Sequence, residues 1–302
     1  MDVAWIAVDW GTSNVRAWGI APNGDAAFGV SSDQGMSRLA RADYPAVLGE
    51  LLTSEIDIDG DLLDVVICGM AGARQGWCEA PYLETPARLD DLLQYAVTPD
   101  MPPSRLRPRI LPGVCQRGGN DDVMRGEETQ LLGLIALDPK FEGIVCMPGT
   151  HAKWVELRDR QIKRFATAIT GELFEVLSVH SVLRHSLGGE IKEDERQAGT
   201  LEGLQRGIEA PEKLTSTLFR TRAGALLSGH SPSWCAGYLS GLLIGADIGG
   251  QRDWIGNAEI PLIGGATLSR TYQAGLEMIG ARSRVVDATE ATLTGLRASY
   301  VA

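Results

Sequence analysis

The chain has no CxxC pair, no GxxxxGK[ST] segment and no apolar run of the roughly 20 residues that a membrane-spanning helix needs. Each absence excludes a class. Its five cysteines are odd in number and sit in apolar runs such as Val65–Cys68 and Ile144–Met147, so they read as small buried hydrophobes rather than disulfides or metal ligands. The missing Walker segment excludes a P-loop kinase. Only four histidines occur, and His180 and His185 lie five apart, a poor spacing for two ligands on one helical face. Basic residues are outnumbered 28 to 39, for a net charge of −11, which argues against sequence-independent nucleic-acid binding. The start Met1-Asp2, with Asp9 inside the first apolar run, gives no signal-peptide core. These features together predict a cytoplasmic protein with no membrane and no nucleic-acid partner.

What is present is patterned as α/β. Val3–Val8 is nearly all apolar, as a strand buried on both faces requires. Val15–Ile20 alternates, Asn23-Gly24 turns the chain, and Ala26–Val30 completes an antiparallel meander. Tyr44–Thr53 reads as a helix and Leu62–Cys68 as a further buried strand. Five prolines between Pro99 and Pro112 predict a loop or irregular crossover. Helices are predicted near 124–137, 171–187, 214–228 and 233–248, and a βαβ unit over 260–287. A strand from Phe141 opens a second half, giving domains at 1–138 and 139–302.

One internal echo carries the chemistry. Asp9-Trp10-Gly11-Thr12-Ser13-Asn14 is a strand end and Gly-Thr turn; Met147-Pro148-Gly149-Thr150-His151-Ala152-Lys153 repeats that plan near the midpoint. A Gly-Thr turn alone is commonly only a turn. Two at corresponding places suggest duplicated domains. Glycine lets a ligand approach the main chain, and turn N–H groups with Thr and Ser hydroxyls form an anion site. Asp9 beside such an anion would need a divalent cation between them, and Mg²⁺ takes only one or two carboxylates. Lys153 could neutralise phosphate, Thr170-Gly171 opens a predicted helix, and Gly264-Gly265 sits between a strand and a helix; both helix starts suit an anion or a flat base. A carboxylate must orient and deprotonate the attacking hydroxyl in phosphoryl transfer. Glu127 is the first candidate and Asp122, in Asn120-Asp121-Asp122, the second; a solvated acidic helix entrance is the alternative.

The chain resembles the actin, sugar-kinase and heat-shock chaperone superfamily, and within it is similar to the 2-dehydro-3-deoxygalactonokinases. The stretches that carry the resemblance are IAVDWGTSNVRAW (6–18), GWCEAPYL (76–83), VMRGEETQLLG (123–133), MPGTHAKWV (147–155), TGEL (170–173), LSGLLIGA (239–246) and SRTYQAGLEMIG (269–280). The resemblance implies two ribonuclease-H-like domains with mixed sheets flanked by helices, and an active site in the cleft between them. It implies ATP and Mg²⁺, and transfer of phosphate to the 6-hydroxyl of 2-dehydro-3-deoxy-D-galactonate in galactonate breakdown. Gly126-Glu127-Glu128 stands where related sugar kinases place a Gly-Asp-Gln segment. Gly11, Thr12, Ser13, Asn14, Gly149, Thr150, His151, Lys153, Thr170, Gly171, Gly264 and Gly265 become the nucleotide candidates, and Asp9 the metal candidate. A substrate carboxylate calls for a cation; Arg16, Arg38 and Arg125 are the candidates, with Gly72 and Trp77 on a loop near the sugar. The other readings are a kinase acting on a neutral sugar and a nucleotide-responsive regulator without turnover. The assembly, a homodimer among the options, is left open.

Overall fold

The computed structural model describes residues 2–57 and 61–301 and divides into two compact units. Unit 1 comprises Met1–Glu142, Leu157–Arg164 and Ala288–Ala302; unit 2 comprises Gly143–Glu156 and Phe165–Asp287. Sequence reading divides the chain at one point, whereas both units are discontinuous.

Unit 1 opens with the antiparallel meander β1 (Trp5–Trp10), β2 (Val15–Ile20) and β3 (Ala26–Ser32). Helix α1 (Tyr44–Leu52) follows, then β4 (Leu63–Gly69), which pairs in parallel with β1. Short strands β5 (Tyr82–Glu84) and β6 (Ala87–Arg88) precede β7 (Leu106–Ile110), β8 (Gly113–Gln116) and β9 (Asp122–Met124). The main sheet has the order β3-β2-β1-β4-β7, and β5-β8-β9 form a small second sheet. Strand β7 corrects the expectation of a loop over 99–112. It lies at the sheet edge, with β4 as its one strand neighbour in that sheet and Val97 bridging only its last residue, Ile110, so Pro108 can sit within it: along the rest of an edge strand one side has N–H groups that need no partner. The core lies where the apolar faces of β1 and β4 meet α1, around Ile6, Val8, Trp10, Tyr44, Leu48 and Ile67. Helix α2 (Glu127–Leu137) starts three residues later than predicted, because Gly126, at φ 104°, breaks the chain between β9 and the helix.

Unit 2 repeats the plan. Strands β10 (Gly143–Met147), β11 (Ala152–Arg158) and β12 (Gln161–Ala168) come first, and the outer parts of β11 and β12 count with unit 1, where Gln161 and Ile162 pair with β6. Helix α3 (Thr170–His180) ends seven residues before the predicted limit. Next come α4 (Glu193–Glu209), α5 (Leu214–Leu218), α6 (Arg220–Leu227) and α7 (Pro232–Gly250). The single helix expected over 214–228 is thus two, broken at Phe219. The predicted βαβ unit is present as β13 (Ile260–Gly264), α8 (Ala266–Met278) and β14 (Ser283–Asp287). Within the sheet the order β14-β13-β10-β11-β12 matches β7-β4-β1-β2-β3 of unit 1, strand for strand. That shared order is the structural counterpart of the Gly-Thr echo.

Two helix pairs are joined by glycine. Helix α4 turns Gly199, Gly203 and Gly207 towards α7, whose Gly237, Gly241 and Gly245 face back; a Cβ on any of the six would fall 2.0–2.5 Å from partner backbone. Helix α9 (Ala288–Val301) closes on α2 in the same way, with a Gly133 Cβ 1.8 Å from the Ala291 carbonyl and a Gly295 Cβ 1.9 Å from that of Thr129. Backbones that approach this closely leave no room for any side chain. Among the described residues no helix is long and apolar enough to cross a membrane.

Candidate active site

In unit 1, Asp9 is the penultimate residue of β1, opposite Arg16 on β2 and Cys68 on β4. Asp9 Oδ2 accepts from Arg16 Nη2 at 2.7 Å, and Arg16 Nη1 donates to Thr289 Oγ1 of α9 at 2.7 Å. Asp9 Oδ1 lies 3.9 Å from Cys68 Sγ, a thiol that burial holds well above its ordinary pKa. The turn that follows points its carbonyls inward. Gly11 O accepts from Met36 N, Thr12 O from Ser37 N, Ser13 O from Gly35 N and Asn14 O from Gly11 N, at 2.8–3.2 Å. The exposed Thr12, Ser13 and Asn14 side chains form its rim.

The start of α2 reaches the same place through glycine. A Cβ on Gly126 would lie 3.3 Å from Gly69 Cα, and one on Gly69 would lie 2.6 Å from Trp10 O and 3.5 Å from Asp9 Oδ1. The two glutamates at this helix start differ sharply. Glu127 is half-buried and accepts the Arg125 N–H at 3.0 Å. Glu128 is fully buried; both its oxygens accept the Gly126 N–H, at 2.8 and 2.9 Å, and Thr129 Oγ1 donates to it at 3.3 Å. Burial, with neighbouring Glu127 adding to it, pushes the Glu128 carboxyl up to about 7.

The substrate candidates separate. Arg125 stands with its Cζ 4.3 Å from the Tyr82 ring centroid and donates Nη2 to Ala80 O at 2.8 Å, while its buried Nε and Nη1 have no acceptor among the described residues. Gly72 makes room for it: a Cβ there would fall 2.8 Å from Nη1. Trp77, which the sequence places either by the sugar or in the core, is in the core, stacked on Tyr44 with centroids 5.8 Å apart and its indole N–H on Asp100 O at 3.3 Å. Arg38 is exposed and paired with Asp33. Asp122 lies on β9, not on α2, and accepts the Val123 N–H at 2.8 Å; Asp121 is exposed.

Unit 2 gathers its candidates around one turn. Residues 148–151 connect β10 to β11, and Glu172 N at the start of α3 donates to Thr150 O at 3.0 Å. A Cβ on Gly171 would lie 2.7 Å from Thr150 Cα and 2.8 Å from Gly149 O; one on Gly264 would lie 2.6 Å from Pro148 O. The turn is therefore clasped by the start of α3 and the end of β13, just before α8. Gly149 itself faces open space, its nearest neighbour being His151 O at 3.9 Å, and nothing lies within 4 Å of a Gly265 Cβ. His151 pairs with Glu172, and the buried Lys153 donates Nζ to His151 O at 3.2 Å. Open glycines beside two helix N-termini form a cradle suited to phosphate.

The 2-keto-3-deoxy-galactonokinase family model matches residues 9–299. The chain belongs to that family. It is 40% identical over 298 residues, 98% of its length and 96% of the other's, to a Rhizobium meliloti (strain 1021) protein named "Probable 2-dehydro-3-deoxygalactonokinase DgoK1". It is 36% identical over 300 residues to the 2-dehydro-3-deoxygalactonokinase of Escherichia coli (strain K12), covering 98% and 97% of the two chains. A crystal structure of a Sinorhizobium meliloti protein given the same kinase designation superposes with a TM-score of 0.90 at 40% identity, over 98% and 97% of the two chains. The family is one of kinases, and the fold implied by the sequence motifs is the one found.

Kinase chemistry needs a nucleotide and a metal, and the residues can be tested for fit. Among the described residues no group of three or more His, Cys, Asp or Glu could cage an ion. Mg²⁺ carried on nucleotide phosphates needs no cage, only one or two carboxylates. Asp9, with 18% of its side chain exposed beside the rim hydroxyls, suits that role. Sequence reading overlooked Glu128, although a signal was there: it lies three, four and seven residues before Leu131, Leu132 and Ile135, on the buried face of α2.

Proposed function

We propose that this chain transfers the γ-phosphate of ATP to the 6-hydroxyl of 2-dehydro-3-deoxy-D-galactonate. The turn at 148–151, clasped by Gly171 at the start of α3 and by Gly264 at the end of β13, is the observation that supports the reading, because open glycines beside helix N-termini suit a phosphate chain. Gly149, Thr150, Thr170, Gly171, Gly264 and Gly265 hold the nucleotide there, and Lys153, whose Nζ donates to His151 O, lends positive charge to the turn. The Gly11–Asn14 turn holds the transferred group, and Asp9 faces the Mg²⁺, which when bound neutralises charge on the phosphates. Glu127, half-buried at the helix start, orients and deprotonates the attacking hydroxyl. Arg125, whose guanidinium lacks acceptors for two of its nitrogens among the described residues, supports an anionic substrate over a neutral sugar. Five free cysteines suit a reducing compartment, the cytoplasm.

The test is a coupled assay with ATP, Mg²⁺, the acid, its gluconate-derived epimer and neutral hexoses, run on the native chain and on Glu127→Gln. Phosphorylation of the acid and a turnover lowered about 10²-fold in the variant are expected. Equal rates on a neutral hexose would overturn the substrate assignment. Near-normal turnover in the variant would remove Glu127 as the base.

A further inference from the structure

The three nucleotide-side elements of unit 2 share one buried anchor outside the phosphate cradle. Asp247, on α7, is 8% exposed and accepts from Trp154 Nε1 with both oxygens at 3.2 Å. It also accepts from Tyr272 Oη, on α8, at 2.7 Å. Because that hydroxyl spends its proton on Asp247, its lone pairs remain for Thr170 Oγ1, on α3, at 3.5 Å. Trp154 lies one residue after Lys153 on β11, Thr170 precedes the glycine that clasps the turn, and α8 begins just after Gly264-Gly265. One carboxylate thus ties together β11, α3 and α8.

A structural explanation alone is weak. A buried carboxylate served by two neutral donors is costly, and an apolar side chain of similar size would hold three elements together at least as well. What an apolar residue could not do is set hydrogen-bond direction. With Asp247 fixed as acceptor, the Tyr272 proton has one orientation, and Thr170 is then oriented in turn at the mouth of its helix.

We propose that Asp247 is a positioning residue for nucleotide binding: through Trp154 and Tyr272 it fixes β11, α3 and α8 in the arrangement that makes the phosphate cradle. The inference rests on the assignment of nucleotide phosphates to the 148–151 turn. Asp247, Trp154 and Tyr272 act on the cradle through Thr170 and the elements that carry it, so the signature is on nucleotide affinity and not on the chemical step.

The test uses the full chain, with ADP binding measured by titration calorimetry, steady-state kinetics, and ¹H–¹⁵N spectra of the tryptophan indoles, Trp154 being assigned through Trp154→Phe. Asp247→Asn should weaken ADP binding about tenfold, in line with losing a hydrogen bond to a charged group, and Tyr272→Phe by a smaller factor of about three. The KM for ATP should rise in step while kcat and the KM for the acid stay within about twofold. The Trp154 indole resonance should move on ADP addition in the native protein and lose that response in Asp247→Asn. Tyr272→Phe, which removes only an oxygen, carries the test if Asp247→Asn does not fold. Gly149→Ala separates the two readings, since its methyl enters the open face of the cradle. If Gly149→Ala weakens ADP binding while folded Asp247→Asn and Tyr272→Phe bind normally, the positioning role is wrong. If Gly149→Ala also binds normally, the cradle assignment is the part that fails.

Discussion

The two Gly-Thr turns stand at the same point of the same strand order, yet they are furnished differently: a carboxylate paired with Arg16 beside the first, a buried lysine and a His151–Glu172 pair at the second. The unit 1 turn lies beside Asp9, with Glu127 and Glu128 brought up by a glycine contact. The unit 2 turn is ringed by His151, Lys153, Thr150 and Thr170, by the start of α3 and by the end of β13. The fold dictates where such a turn occurs; a few side chains decide whether a carboxylate or a lysine stands beside it. Bracing differs as well. In unit 1 the close approach comes from Gly35, whose Cβ would fall 2.3 Å from the Ser13 carbonyl carbon, whereas in unit 2 Gly171 and Gly264 press from separate elements.

The bracing contrast can be broken by substitution. Gly171→Ala and Gly35→Ala each drive a methyl into backbone and should destabilise the protein by about 3 kcal/mol or more, read from denaturant midpoints. Gly149→Ala, in the matched turn but facing open space, should leave the midpoint within error. Equal losses at all three positions would show that the turns are not braced as described.

The charge contrast is sharpened by pH. The folded protein keeps the Glu128 proton up to about 7, while the unfolded chain releases it near the ordinary glutamate value of 4.5. The unfolded state therefore binds fewer protons in this window, and stability should fall as pH rises from about 4.5 to about 7, by about 3 kcal/mol, and level off above. Glu128→Gln should abolish that slope. A slope surviving in the variant would assign it to another group.

The smallest effect should come from Thr289→Val, which cuts the Arg16–Thr289 link but leaves the Arg16–Asp9 pair. A half-exposed pair of this kind is screened by solvent, so a loss under about 1 kcal/mol is expected in thermal unfolding.

The legible parts of this molecule were those with a local physical signature. The meander of unit 1 announced itself by alternation and an Asn-Gly turn, and the cradle residues by glycine beside hydroxyl. What stayed hidden depended on partners distant in sequence. Helix α4 reads GluAspGluArg and then glycine every fourth position, which looks like a poor helix until α7 supplies the complementary glycines. Helix α9 has no strong apolar stripe because small residues, not large ones, let it reach α2. Pro108 hid β7, since nothing local reveals that a strand will lie at an edge. At the site, adjacency of Glu127 and Glu128 concealed that one is sealed in the core and the other is not.

Helix α9 also has a bearing on biosynthesis. Its residues leave the ribosome long after those of α2, against which they pack, and after Arg16, which they help to hold. The half of the molecule made first therefore cannot finish assembling until the whole of unit 2 has been translated. Nascent chains halted before residue 288 should expose the face of α2 around Gly133, a surface for chaperones to shield.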